Sequence, residues 1–328
     1  MNDKAMSIKN DSKISYLARE ITNFINRGSA TTEKISATLR EIKEISGLKS
    51  LKSLEQSHIN KIVEKLKTSD MSLSNKNSYI SSINNIVKYL NKDSLNTIKA
   101  ADYGLSRDIK ENDGVNKENT RESANAFKNW LNEKAEKTGD MRYSALRHAV
   151  EIQFSAGLRL RESLQVKLLN KDLSQNSLSL AKKNDGAKNS RAREIHLNSE
   201  QKQSVLDARQ FLKDNHLVNL NVGKLLQGRN FANNTVKEFM KEQGVYFHYH
   251  GERHFFVHNA YKAAWAGKGY AIECRARTGE SKADWAARIL ETTGLNKAEF
   301  QAIDKEIRQG ISKNLGHERI EITNRYLG

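Results

Sequence analysis

Apolar residues recur every three or four positions through the first ninety residues. Ile14, Leu17, Ile21, Phe24 and Ile25 form one stripe, and Ile35, Leu39, Ile42 and Ile45 a second. Gly47 interrupts the pattern, which resumes with Ile59, Ile62, Val63 and Leu66 and then with Tyr79, Ile83, Ile86, Val87 and Leu90. This spacing puts each set on one face of a helix, and Ser74 stands where the fourth helix is expected to be capped. Four short amphipathic helices with Lys and Ser outermost make a small basic bundle. The stretch 103–119 is polar, carries Gly104 and Gly114, and shows no periodic apolar face, which predicts a linker. Beyond it the helical period returns at 121–136, 141–156 and 161–166. Strand signals follow at 167–173, 177–182 and 192–197, where Ile195 and Leu197 alternate with polar residues. Further helices are predicted at 199–214, 232–242, 250–265, 282–291 and 297–309, with short ones at 311–315 and 319–325. The chain contains no proline, so the sharpest boundary marker is missing.

Composition narrows the picture. The 328 residues suit two domains, and 37% hydrophobic content is enough for two modest cores. No apolar run approaches transmembrane length, and the polar start Met1-Asn2-Asp3-Lys4 is not expected to act as a signal peptide. The single cysteine, Cys274, leaves no internal disulfide or cysteine-rich zinc site and fits a reducing cytosol. Lys and Arg number 55 against 39 Asp and Glu, a net charge of +16. That balance predicts affinity for a phosphate backbone with steep salt dependence, a property an RNA-binding or ribosomal protein would share. Residues 1–120 carry a net +5 and residues 121–328 a net +11, so both lobes are positive, as a clamp around a duplex would be.

The candidate chemistry lies at the end of the chain, where His317 and Tyr326 stand nine positions apart. A tyrosine hydroxyl, with an ordinary pKa near ~10, attacks well only where cations and acid–base groups surround its target. Three upstream islands supply such groups. They are Gly157-Leu158-Arg159-Leu160-Arg161-Glu162-Ser163-Leu164, the basic turn Ala187-Lys188-Asn189-Ser190-Arg191-Ala192-Arg193, and His250-Gly251-Glu252-Arg253-His254. Each has a bland reading by itself. An arginine after Gly-Leu is commonly a surface ion-pair partner, a His-x-x-Arg pair a solvated helix face, and a terminal Tyr-Leu-Gly an apolar anchor at a fraying end. The run Lys182–Arg193, with five basic residues and one acid, reads by default as a solvated loop. Order and spacing together carry the inference.

Taken in order, the set resembles the tyrosine recombinase (phage integrase) family over roughly the C-terminal two-thirds of the chain. The first arginine box of that family, Gly-Leu-Arg-x-x-Glu-x-Leu, is reproduced in full around Arg159. The second, His-x-Leu-Arg-His, matches His250, Arg253 and His254, and the third, Leu-Gly-His followed nine residues later by Tyr, matches His317 and Tyr326. The family's hairpin lysine corresponds to Lys188, with Lys182 and Lys183 as rivals. The sequence departs from the pattern at Glu252, which replaces a leucine, and at Asn189 and Ser190, which replace glycines. The span between Arg253 and His317 is also long, and two residues follow Tyr326 where many members carry a segment that docks on a neighbouring protomer.

The resemblance implies a mainly α fold with a small antiparallel β-sheet. Its parts would be a helical, SAM-like core-binding domain over 1–105, a linker over 106–119 and a catalytic domain over 120–328, with an inserted helical segment around 266–308. It implies a site-specific DNA recombinase, cytoplasmic and nucleoid-associated, encoded by a bacterium, phage or mobile element and acting without metal, cofactor or ATP. Tyr326 would form a 3′-phosphotyrosyl bond. Arg159 and Arg253 would neutralise the phosphate, His317 would donate to it, His250 would take the tyrosine proton, and Lys188 would protonate the leaving oxygen. DNA contacts are expected at Lys182, Lys183, Arg191, Arg193 and His254. The implied partners are double-stranded recombination sites, further copies of the chain in a tetramer on two sites, and an accessory or directionality protein, with no membrane. Within the insertion, Arg275, Arg277 and Arg288 either touch DNA or a partner, or belong to a helix pair packed by Trp285, Ile289 and Leu290. A type IB topoisomerase shares this residue set, and a DNA-binding relative with a decayed site shares its charge. No carboxylate cluster has the spacing of a two-metal transposase.

Overall fold

The computed structural model describes residues 6–25, 29–105, 116–180, 185, 192–317 and 320–328. The chain divides into two compact units, Met1–Ile109 and Lys110–Gly328. Among the described residues no helix is long and apolar enough to cross a membrane.

The first unit is built from α1 (Asp11–Phe24), α2 (Ser29–Ser46), α3 (Gln56–Thr68) and α4 (Leu73–Leu90). The apolar stripes meet in one core of Ile14, Leu17, Ile21, Ile35, Leu39, Ile42, Ile59, Ile62, Val63, Leu66, Ile83 and Ile86. Burial of these side chains, each giving roughly 1.5–3 kcal/mol, is what holds such short helices. Two details differ from expectation. The cap of α4 is Ser72, whose hydroxyl accepts from Asn75 N–H, because the helix begins one residue before Ser74. Phe24, placed in the first stripe, is exposed at the end of α1 with its ring edge-on to Tyr89. Beyond α4 the chain is tied back by Asn84, whose amide both donates to Ile98 O and accepts from Ile98 N–H.

The second unit comprises α5 (Arg121–Thr138), α6 (Met141–Ala156), α7 (Leu160–Gln165), a two-stranded sheet, and then α8 (Ser199–Asp214), α9 (Leu225–Gln243), α10 (Tyr249–Ala266), α11 (Arg275–Thr278), α12 (Lys282–Thr293), α13 (Lys297–Asn314) and α14 (Ile320–Leu327). Strands β1 (Ser177–Leu180) and β2 (Arg193–His196) pair antiparallel, with Ser177 opposite His196 and Leu180 opposite Arg193. The strand expected at 167–173 is absent: Leu168–Asn170 form a 3-10 turn, because the Lys167 N–H and the Lys171 ammonium both bind the buried Asp185 carboxylate rather than a neighbouring strand. Helix α9 starts seven residues earlier than its apolar stripe suggests, and the helices predicted at 297–309 and 311–315 are one helix.

One core joins α6, the sheet, α8, α10 and the C-terminal helices, and an aromatic cluster of Phe127, Trp130, Phe239, Phe247 and Tyr249 forms a second. The segment expected to be an insertion contributes Ile272, Cys274, Trp285, Ile289 and Phe300 to the first core. Glu118 and Asn119, the last residues of the polar stretch read as a linker, are bonded into this unit: Asn119 donates to His248 O and Glu252, and accepts from His248 N–H.

Candidate active site

Helix α6 ends at Gly157, whose φ of +62° stops the helix in the left-handed region. A Cβ there would lie 2.4 Å from the Phe256 ring, so the position has room only for hydrogen. The turn gives the Gly157 carbonyl to Arg253 Nη1 and sets Arg159 at the start of α7. Arg159 N–H and Nη1 both donate to Glu162, at 2.8 and 2.9 Å. From β2, Arg193 forks onto the same carboxylate at 3.1 and 2.7 Å. Gly316, with φ +68°, allows Arg193 to pass; a Cβ there would meet its Cδ at 2.9 Å.

Arg253 on α10 is fully buried. Its Nη2 donates to Leu315 O at 2.8 Å and lies 3.3 Å from His317 Nε2, and its Nε donates to the Tyr326 hydroxyl at 3.2 Å. Burial pulls its pKa down to about 10, opposed by Tyr326 and Glu162, so the guanidinium stays charged at neutral pH. Arg159 Nη2 is 3.2 Å from the same His317 Nε2. Guanidinium nitrogens only donate, so this histidine nitrogen accepts from both arginines. The Glu162 carboxyl is raised by burial but lowered more strongly by hydrogen bonds and charge from Arg193, with Arg159 and Arg253 adding to it, and is held at about 2. Three positive charges thus face one negative charge, a surplus of two in a largely desolvated site.

The buried Tyr326 ring sits among three histidines. His317 stacks on it with centroids 5.9 Å apart, His254 is 4.5 Å away and His250 5.6 Å. Loss of water on its inner side, with the charges of Arg253, His248, Arg159 and Lys117, holds His250 at about 4, neutral at physiological pH although it is exposed. Burial, then the neighbouring histidines, holds His254 at about 3. Among the described residues no three His, Cys, Asp or Glu side chains converge to hold a metal.

The structure therefore brings together Arg159, His250, Arg253, His254, His317 and Tyr326. Of the expected DNA contacts, Arg193 has its side-chain fork on Glu162, and His254 is buried against the Tyr326 ring. Lys182, Lys183, Lys188 and Arg191 lie outside the described residues.

Solved structures share this architecture. The Tn1549 transposon integrase in complex with transposon right end DNA aligns with a TM-score of 0.53 at 16% identity, over 96% of this chain and 94% of that one. The same integrase in complex with circular intermediate DNA aligns at 0.54 and 16%, over 96% and 94%. A lambda integrase dimer bound to a COC' core site aligns at 0.50 and 12%, over 99% and 79%. The chain has the fold of a tyrosine recombinase. No family model matches it, and no curated protein matches it in sequence.

Within this tyrosine-recombinase fold, three residues around the site escaped sequence reasoning. Glu162 was visible only as a consensus letter, although its place three residues after Arg159 puts it on the same helical face. Glu118 lay in apparent linker. His258 follows His254 by four residues, the one sequence signal that it faces the same way. Two of the three insertion arginines are ion-paired within the unit, Arg277 with Glu118 and Glu273 and Arg288 with Glu280, while Arg275 donates to the Glu280 carbonyl. Trp285 and Ile289, two of the three residues expected to pack this segment, are buried.

Proposed function

We propose that the protein is a site-specific DNA recombinase of the tyrosine recombinase family, cutting and rejoining strands through a covalent bond to Tyr326. The observation that carries this reading is that Arg253 donates to the Tyr326 hydroxyl and shares His317 Nε2 with Arg159, in a site with a surplus of positive charge. A phosphodiester brings one negative charge, and its pentavalent transition state spreads more over the non-bridging oxygens. Arg159 and Arg253, permanently charged and already oriented, are suited to meet that charge.

In this mechanism the Arg253 N–H now bonded to the Tyr326 hydroxyl turns to a phosphate oxygen, and Arg159 does the same. His317 Nε2, relieved of both guanidinium donors, takes a proton and donates to a second non-bridging oxygen. His250, neutral and beside the ring, accepts the tyrosine proton. The tyrosine oxygen attacks phosphorus in line, the P–O5′ bond breaks, and the 5′ oxygen leaves with a proton from Lys188. The phosphotyrosyl ester conserves the bond energy, so a 5′ hydroxyl of another strand can reverse the step without ATP. DNA enters the first unit on its Lys- and Ser-rich outer face, and assembly is as a tetramer on two sites. The fold shared with integrases solved on DNA supports this reading.

The test is covalent trapping in a host carrying the native flanking DNA, wild type against Tyr326→Phe, with protein-linked DNA sequenced after denaturation. Tyr326-dependent adducts at one or two short sites are expected. Adducts scattered over the genome would indicate topoisomerase-like relaxation, and DNA binding without adducts a regulatory protein.

A further inference from the structure

The C-terminal helix that carries Tyr326 spans eight residues, too short to be stable without tertiary tethers. Its last carbonyls have no partner inside the helix. One of them, Tyr326 O, is taken by His258 Nε2 at 2.7 Å, from the fully buried third histidine of α10. The other ring nitrogen, Nδ1, lies 2.7 Å from Glu118 Oε2. Carbonyls and carboxylates only accept, whereas a neutral imidazole has one N–H. A singly protonated ring would leave a lone pair facing a lone pair in the core, so the arrangement calls for a proton on each nitrogen. Glu118 is gripped in turn by Arg277, Nε to Oε1 at 3.1 Å and Nη2 to Oε2 at 2.9 Å. Arg277 is itself fixed by Glu273 and Asn259, both at 3.1 Å.

We propose that His258 is a positioning residue for Tyr326: a doubly protonated ring, braced by Glu118 and Arg277, that grips the nucleophile's own backbone carbonyl and fixes the placement of α14 beneath the arginines. The proposal rests on the reading of Tyr326 as the nucleophile. The groups facing the ring are Glu118 from the segment before α5, the His254 ring 5.9 Å away on its own helix, Cys274 ahead of α11, and Tyr326 O of α14. Burial opposes the charge, but the Cys274 sulfur, the Glu118 carboxylate and the Tyr326 carbonyl outweigh it and lift the ring to about 9. A cation at this end of α14 also complements the helix dipole. Because carbonyl and side chain leave the same residue, holding Tyr326 O restrains the hydroxyl that must align with phosphorus, and small misplacements of reacting atoms are costly.

Two near-isosteric variants separate positioning from packing. In His258→Gln the amide nitrogen reaches toward Tyr326 O and abandons Glu118. In His258→Asn it reaches only toward Glu118. On a duplex carrying the cleavage site recovered by adduct sequencing, both should bind within about twofold of wild type. Adduct formation should fall roughly tenfold to a hundredfold in the Asn variant and about threefold or less in the Gln variant. Equal rates for the two variants would overturn the proposal while leaving Tyr326 as nucleophile. Absence of adducts from the wild type would instead overturn the recombinase reading, and the positioning role with it. Nitrogen NMR of the histidine-labelled wild type decides the ring's state without relying on activity or on a variant's folding. Two protonated His258 nitrogens at pH 7.5 are expected, and a neutral ring overturns the clamp.

Discussion

His254 and His258 occupy consecutive turns of one helix face and both touch Tyr326, one at its ring and one at its backbone. Their proton affinities are driven apart. His254, buried among other histidines with no hydrogen-bond partner at Nδ1 among the described residues, is held at about 3, while His258, beside the Cys274 sulfur and between a carboxylate and a carbonyl, is lifted to about 9. Burial works against the charge at both. The difference is made by the second neighbour: among the described residues no anion reaches His254, and an anion braced by Arg277 reaches His258. The same residue type thus serves as a neutral wall beside the hydroxyl and as a charged clamp behind it, and proximity to the site does not by itself tell which.

The largest expected effect breaks the ring side of this arrangement. Arg253→Ala removes the donor to Tyr326 and leaves the Gly157 and Leu315 carbonyls unpaired. Adduct formation should fall by more than ~10³ and the melting temperature should drop, since an unsatisfied buried polar group costs about 1–3 kcal/mol. Arg159→Ala spares those carbonyls. Cleavage should fall by about 10²–10³ with a small change in melting, and duplex binding should weaken only modestly.

The next effect sharpens the contrast by titration. His254 has its folded-state pKa depressed, so the stability linked to it is present above the unfolded value near ~6.5 and is lost as pH falls toward 3. His258 has its pKa raised, so its contribution is complete below about 6.5 and is lost as pH climbs through 9. Denaturant melts from pH 4 to 10 should show His254→Phe flattening the acid limb by about 1–2 kcal/mol between pH 7 and 5. His258→Gln should flatten the alkaline limb and leave the acid one alone. Both limbs changing together in either variant would erase the distinction. The smallest effect is structural: Gly157→Ala, strained in φ and pressed on Phe256, should cost about 1–3 kcal/mol in melts.

Much of this was legible in the chain. The stripes of Ile and Leu at helical spacing mark α1 to α4 because a bundle core imposes that period on every helix it contains. The arginines, histidines and tyrosine of the site were legible because their types, order and spacing resemble the motifs of the tyrosine recombinase family. What was not legible depends on partners distant in sequence. Leu168, Leu169 and Leu173 read as strand until Asp185 claims Lys167 and Lys171. Nothing near Arg193 in the sequence announces its ion pair with Glu162, 31 positions earlier. Nothing local to Glu118 announces that it faces His258, 140 positions away.

The central claim is that the Tyr326 oxygen is the attacking atom. Its most direct test is to digest the trapped protein–DNA adduct with protease and nuclease and to locate the residual nucleotide by mass spectrometry. The account predicts a 3′-linked nucleotide on the C-terminal peptide at Tyr326. A nucleotide on any other residue, or a stable adduct persisting in Tyr326→Phe, would contradict it.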